Sequence, residues 1–220
     1  MTVQEIIQSD LLPLQMSDSI QFAMGSMDEM KLLELPVLEG DIFRGIVRED
    51  RLEQVENENL SLKEAGILPE PVFVSKDRNI HDVLRIMIEG ELSLLPVLDE
   101  TGLYCGYISS LELVRHLGQL ISADVEGGLI ILEMAAEDYH LSEIAQILES
   151  NDLKVLNLLT RPIAMSTQIE VIIKTHTRDL SRALQTFARY DYKVRVAEFE
   201  DVHDLNLNER YEQLMRYLNV

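Results

Sequence analysis

The chain has 220 residues, with 46% hydrophobic side chains and a formal charge of −20 from 19 basic and 39 acidic residues. Such a length fits one or two ordinary domains, or more if they are small, with ample apolar material for their cores. The acidic field repels phosphate backbones and anionic lipid, which argues against nucleic-acid or membrane partners.

No run reaches the roughly 18 apolar residues that a membrane span requires. The opening "MTVQEIIQSD" lacks the basic and apolar regions of a secretory signal. A single cysteine, Cys105, points to a reducing compartment, and it reads as a small buried hydrophobe at a strand edge. A cytoplasmic protein is expected.

In chain order, the first element is a helix that starts at Ser19, whose hydroxyl can cap free amides. Gly25 weakens that helix by about 1 kcal/mol relative to alanine. A strand "LPVLE", a turn "EGD", a strand "FRGIV" and a short helix near residues 49–55 follow. Then the order repeats. Asn79 caps a helix whose apolar stripe is Ile80, Val83, Leu84, Met87 and Ile88. The strand "LPVLD", the turn "DETG", the strand "YCGYIS" and a helix at 111–120 complete the second copy. The proline of each "LPV" suits a strand entry or edge better than a central ladder position.

The correspondence keeps a constant offset. Ser19, Ile20, Ala23, Met24, Met27 and Leu35 to Leu38 match Asn79, Ile80, Val83, Leu84, Met87 and Leu95 to Leu98 at 60 residues. One inserted loop residue then aligns Gly45 with Gly106, Val47 with Ile108, and Leu52 with Leu113. An internal repeat of this kind defines the architecture. A unit of about 60 residues buries too little surface to be stable alone, so two copies must share a core and leave equivalent clefts where they meet.

After Gly127-Gly128 the pattern changes. "LIILEMAA" is a strand and "LSEIAQILES" a helix with the stripe Leu141, Ile144, Ala145 and Leu148. "KVLNLLT" and "QIEVIIKTH" are strands joined by the turn "RPIAMST". "DLSRALQTFARY" is a helix with Leu180, Ala183, Leu184 and Phe187 on one face, and "KVRVAEFE" alternates as a strand. "NERYEQLMRYL" reads as a C-terminal amphipathic helix. The order is βαββαβ plus a helix, the split-βαβ plan, so the fold class is α+β with α/β character.

The order helix, h-P-V-h-[DE], turn, G-h-h-[ST]-x-x-[DN], helix resembles a tandem pair of CBS domains. The resemblance implies a pseudo-twofold module with repeat 1 at 1–57 and repeat 2 at 58–123. It also implies a homodimer, a regulatory rather than catalytic role, and an adenosine-containing ligand such as AMP, ADP or ATP, with no other cofactor required. In the family the Ser/Thr after the second strand holds phosphate and the acid three residues on binds ribose. Copy two places Ser109 and Glu112 at these positions; copy one places Arg48 and Arg51 there instead. An arginine cannot accept a bond from a ribose hydroxyl. The expected site is therefore the copy-two cleft, with Val72, Val74, Leu95, Pro96 and Ile108 as apolar walls around Ser109 and Glu112. Arg48 and Arg51 are candidate phosphate contacts from across that cleft.

Residues 124–220 resemble an ACT domain, a regulatory fold that commonly pairs edge to edge and binds amino acids. The loop Glu137-Asp138-Tyr139-His140-Leu141 lacks the glycine typical of amino-acid binders. The whole layout resembles the acetoin-utilisation accessory proteins of bacteria. The expected function is thus a nucleotide sensor acting on an unknown regulated protein, with a ligand-free interaction scaffold or an amino-acid sensor as alternatives. His81, His116, His140, His176 and His203 show no metal-ligand spacing, and no nucleophile or phosphate-loop motif is present. No catalytic or metal residue is assigned.

Overall fold

In the computed structural model residues 3–197 are described. The chain divides into two compact units, Met1–Leu117 and Gly118–Val220. The first contains β1 (Leu14–Gln15), α1 (Ile20–Met30), β2 (Glu34–Glu39), β3 (Ile42–Arg48) and α2 (Glu49–Leu52). It continues with β4 (Val74–Ser75), α3 (Ile80–Glu89), β5 (Leu94–Leu98), β6 (Tyr104–Ser109) and the start of α4 (Ser110–Leu120).

The two copies are built alike down to their register. Each has a three-stranded sheet, ordered β1-β2-β3 and β4-β5-β6, with a parallel and then an antiparallel ladder. Leu14 pairs with Val37 as Val74 pairs with Val97, and Val37 faces Gly45 as Val97 faces Gly106. Ser19 Oγ accepts the Phe22 amide at 3.2 Å and Asn79 Oδ1 the Asp82 amide at 3.1 Å, so both helices start at the expected caps. Pro36 is tolerated in β2 because β1 reaches only Val37 and Leu38, leaving one side of the strand free of ladder at the proline.

The sequence gives little warning of how the copies are joined. The arm that precedes copy one lies on copy two, and the strap that precedes copy two lies on copy one. In the arm, the Val3 amide donates to Arg78 O at 3.1 Å, and Gln8 exchanges both backbone hydrogen bonds with Tyr107 at 2.8 and 2.9 Å. In the strap, the Leu62 amide donates to Asp18 O at 2.9 Å, and Glu70 exchanges both bonds with Ile46 at 2.8 Å each. Side chains follow the backbone. Val3 and Ile6 of the arm and Ile46 of copy one pack with Val74, Val83, Leu95 and Ile108. Leu62 of the strap and Leu94 and Tyr107 of copy two pack with Leu14, Ile20, Leu35 and Val47. Each buried aliphatic side chain contributes about 1.5–3 kcal/mol, so neither copy has a complete core without the other's lead-in segment.

Gly45 and Gly106 make this exchange possible. They adopt φ of +139° and +143°, and a Cβ on either would lie 2.3 Å from the carbonyl oxygen of Glu70 or Gln8. No side chain fits there.

Three expectations change in this unit. Cys105 is exposed, not buried, because the β5–β6 register shifts between Val97 and Leu98 and leaves it without a cross-strand partner. α2 ends at Leu52, shorter than the expected span to residue 55. Ile88 lies outside the buried stripe of α3, whose inward face is Ile80, Val83 and Met87.

The second unit contains β7 (Leu129–Ala135), α5 (Leu141–Ser150), β8 (Val155–Pro162), β9 (Gln168–Thr175), α6 (Ser181–Arg189) and β10 (Lys193–Ala197). Its sheet is ordered β10-β7-β9-β8 with every ladder antiparallel, which is the split-βαβ arrangement. One face packs Ile130, Leu132, Val171 and Ile173 against Ile144, Leu148, Ala183 and Phe187. Leu141 is exposed, contrary to expectation, and Ile147 joins Ile144 and Leu148 on the buried face of α5. On the other face Lys193, Glu133, Glu170 and Arg161 stand in one cross-strand row, with the two carboxylates adjacent, a cation paired to each from outside, and Arg195 reaching both. The expected helix at 208–218 lies outside the described residues. Among the described residues no helix is long and apolar enough to cross a membrane.

Gly106→Ala and Gly45→Ala each combine backbone strain with a main-chain clash and are expected to cost about 2–4 kcal/mol in urea unfolding. Gly25→Ala, in the middle of α1 with nothing within 4 Å of the new methyl group, is expected to stabilise by about 1 kcal/mol.

Candidate functional site

Ser109 ends β6 and Ser110 opens α4, so the strand delivers a hydroxyl to a helix start. Ser109 Oγ accepts the Glu112 amide at 3.2 Å and so caps the first turn. The Ser109 hydroxyl and amide both donate to the carboxamide oxygen of Gln8, at 2.7 and 3.3 Å. Glu112 stands one turn along, and its Oε2 accepts from Arg115 Nη1 at 3.3 Å. Ser109 and Glu112 thus stand together at one helix end, with Gln8 reaching Ser109 from the arm. Gln8 carries no motif; the one signal toward its segment is Gly106, a glycine inside a strand.

The apolar positions are placed differently. Val74, Leu95 and Ile108 are at most 3% exposed, and Pro96 is buried as well. Leu95 and Ile108 pair across β5 and β6 with their side chains in the shared core. Of the five expected wall residues only Val72 keeps exposed surface, packed against the edge of that core.

In copy one, Arg48 occupies the position equivalent to Ser109. Its Nη1 donates to Gly90 O at 3.0 Å, at the C-terminal end of α3. A cation there meets the negative end of the helix dipole. Arg48 is therefore a strut from copy one to copy two, and its guanidinium serves a backbone carbonyl rather than an open pocket. Arg51 is exposed on α2.

A further residue was legible only from the alignment of the copies. Glu34 is fully buried, and its Oε1 accepts the Leu94 amide at 2.5 Å and the Ser93 hydroxyl at 2.9 Å. The Ser93 hydroxyl in turn accepts the Leu33 amide at 3.2 Å. Leu94 is the counterpart of Glu34, so copy two shows that the position is a core one, and copy one fills it with a carboxylate that binds across the pseudo-twofold axis. Phe43 and Tyr104, also counterparts, stack across the copies with ring centroids 6.4 Å apart and planes 9° from parallel.

Tyr107 fastens the arm a second time: its hydroxyl donates to Asp10 Oδ1 at 3.0 Å. Burial first, and then the hydrogen bond to Asp10, push its phenol up to about 12. Burial raises Tyr104 well above the ordinary phenol range too. Among the described residues no group of three or more His, Cys, Asp or Glu is placed to hold a metal ion. A cleft of about 480 Å³ lined by Gln15, Ser17, Glu39, Ser61, Lys63 and Glu64 contains none of the expected site residues.

Arg48→Ala is expected to lower stability by about 1 kcal/mol in urea unfolding, whereas Arg51→Ala should stay within about 0.5 kcal/mol of the parent. A phenol raised in the folded state stabilises the fold fully below its ordinary pKa of about 10, and that gain is lost as pH rises through the folded value. Stability should therefore fall between pH 10 and about 12, and Tyr107→Phe should flatten that fall, as followed by tyrosinate absorbance and circular dichroism.

Residues 63–119 match the family model of the CBS domain. A CBS domain pair/ACT domain protein from Thermotoga maritima is 23% identical, with 54% of this chain and 98% of that chain covered at a TM-score of 0.48. CBSX2, solved in complex with AMP, is 23% identical over 54% of this chain and 96% of its own, at 0.47. The CBS domains of a transcriptional regulator from Streptococcus pneumoniae are 14% identical over 52% and 98%, also at 0.47. The segment that matches the CBS family model is copy two with its lead-in strap, and it holds Gly106, Ser109 and Glu112.

Proposed function

We propose that this chain is a non-catalytic, cytoplasmic regulatory protein whose paired CBS repeats bind an adenosine-containing ligand at the Ser109 end of α4. The observation that carries this reading is the joint placement of Ser109 and Glu112 at the first turn of that helix. The Ser109 hydroxyl and amide are donors suited to a phosphoryl oxygen, and the helix start adds a favourable dipole. Glu112 is an acceptor for ribose hydroxyls, and Val72 is the wall residue that keeps exposed surface for adenine. AMP, ADP and ATP are the candidate ligands. A single site is proposed, because Arg48 serves the end of α3 in copy one.

The second unit, with its βαββαβ order, is proposed as an ACT-like domain that mediates homodimerisation or couples the ligand state to a regulated protein. The layout agrees with a regulator of the acetoin-utilisation type. A ligand-free scaffold is the second reading, and it is favoured by the burial of Val74, Leu95, Pro96 and Ile108.

Thermal unfolding with AMP, ADP and ATP separates the two. A nucleotide at about 100 times its dissociation constant should stabilise the protein by about 2.7 kcal/mol. Ser109→Ala should reduce the affinity about tenfold through loss of a charge-assisted hydrogen bond. A melting temperature unmoved by every nucleotide leaves the scaffold.

A further inference from the structure

The donors proposed for the ligand are not idle. The Ser109 hydroxyl and amide converge on one oxygen, Oε1 of Gln8, at 2.7 and 3.3 Å. That oxygen does for Ser109 what a phosphoryl oxygen would do: it accepts two bonds at the start of α4. It arrives from outside copy two, on the N-terminal arm. The arm's position leaves little freedom, because Gln8 exchanges two backbone bonds with Tyr107, two residues before Ser109. Val3 and Ile6 anchor the same arm in the core beneath. Gly106 lets the Gln8 carbonyl come closer than any side chain would permit. The backbone thus fixes where the Gln8 side chain starts, and only its side-chain torsions are free to move it off Ser109.

From this we infer that Gln8 is a built-in competitor for the oxyanion of the ligand, so that nucleotide binds copy two only by displacing the Gln8 carboxamide. This rests on the reading of Ser109 as the ligand's phosphate contact and adds a regulator to it. The chemistry favours exchange in one direction. A carboxamide oxygen is a neutral acceptor, and a phosphoryl oxygen is a charged one whose bonds to the same donors are shorter and stronger. A neutral occupant keeps the Ser109 donors satisfied in the free protein, yet yields to an anion. A charged occupant at residue 8 would not yield.

The test is calorimetric titration of the full chain with AMP, and in parallel with inorganic phosphate, on the parent, Gln8→Ala, Gln8→Glu and Ser109→Ala. Removing the competitor in Gln8→Ala is expected to tighten AMP binding roughly fivefold, the equivalent of one ordinary hydrogen bond. Gln8→Glu, which ties an anion to the same donors, is expected to weaken AMP binding at least about tenfold. Both substitutions keep the backbone bonds to Tyr107, and circular dichroism checks that they fold. If Ser109→Ala weakens AMP binding while both Gln8 variants bind like the parent, the competition is refuted and the ligand site stands. If no variant binds AMP or phosphate, the ligand site falls and the competition with it. Phosphate binding that responds to Gln8 without any AMP binding supports the competition for an anion and overturns the adenosine assignment.

Discussion

Two carbonyl oxygens held against two glycines organise the first unit. Gln8 O approaches Gly106 and Glu70 O approaches Gly45 so closely that a methyl group on either glycine would meet the oxygen at 2.3 Å. Through these contacts each lead-in segment adds a bridge to the far strand of the other copy. Everything else about the pair follows from that exchange. The two hydrophobic clusters each contain residues of both copies, so folding one copy means ordering the segment that precedes the other. Repeats that each bury too little surface alone become one body by sharing their edges.

The symmetry of this plan makes its departures informative. Where copy two has leucine at 94, copy one has the buried carboxylate of Glu34, which binds the Ser93 hydroxyl and the Leu94 amide across the axis. Where copy two ends β6 with Ser109, copy one ends β3 with Arg48, which reaches the carbonyl at the end of α3. Both copy-one residues hold the other copy in place. Copy two keeps the small hydroxyl of Ser109 and the acid Glu112, the residues of the proposed ligand site. The duplication has thus divided its labour, with joining in one half and recognition proposed in the other. That division explains why an arginine that looks like a phosphate contact in the sequence is a strut in the structure.

Much of the fold was legible because it was written twice. The caps Ser19 and Asn79, the paired hairpins and the βαββαβ order of the second unit all follow from local pattern. What escaped was non-local. The apolar pattern of Val74, Leu95 and Ile108 shows that they are hydrophobic, not whether they face a cleft or a core, and the β5–β6 pairing turns them inward. Cys105 was misread because a one-residue register shift reverses which side a strand residue takes. Gln8 and the arm were invisible because "VQEIIQSD" has no turn or motif that announces pairing with a strand a hundred residues later. Only Gly106 hinted at it, as a glycine inside a strand where another backbone approaches closely.

The interlocking of the copies is open to a direct measurement by native-state hydrogen exchange on a protein weakened in copy two alone, by Val97→Ala. If each copy depends on the other's lead-in segment, the amides of Leu35 and Val47 in copy one must lose protection by the same free energy as those of Leu95 and Ile108 in copy two. Copy-one amides that keep the parent's protection while copy two opens would show two independent repeats, and the exchanged segments would then be packing without consequence.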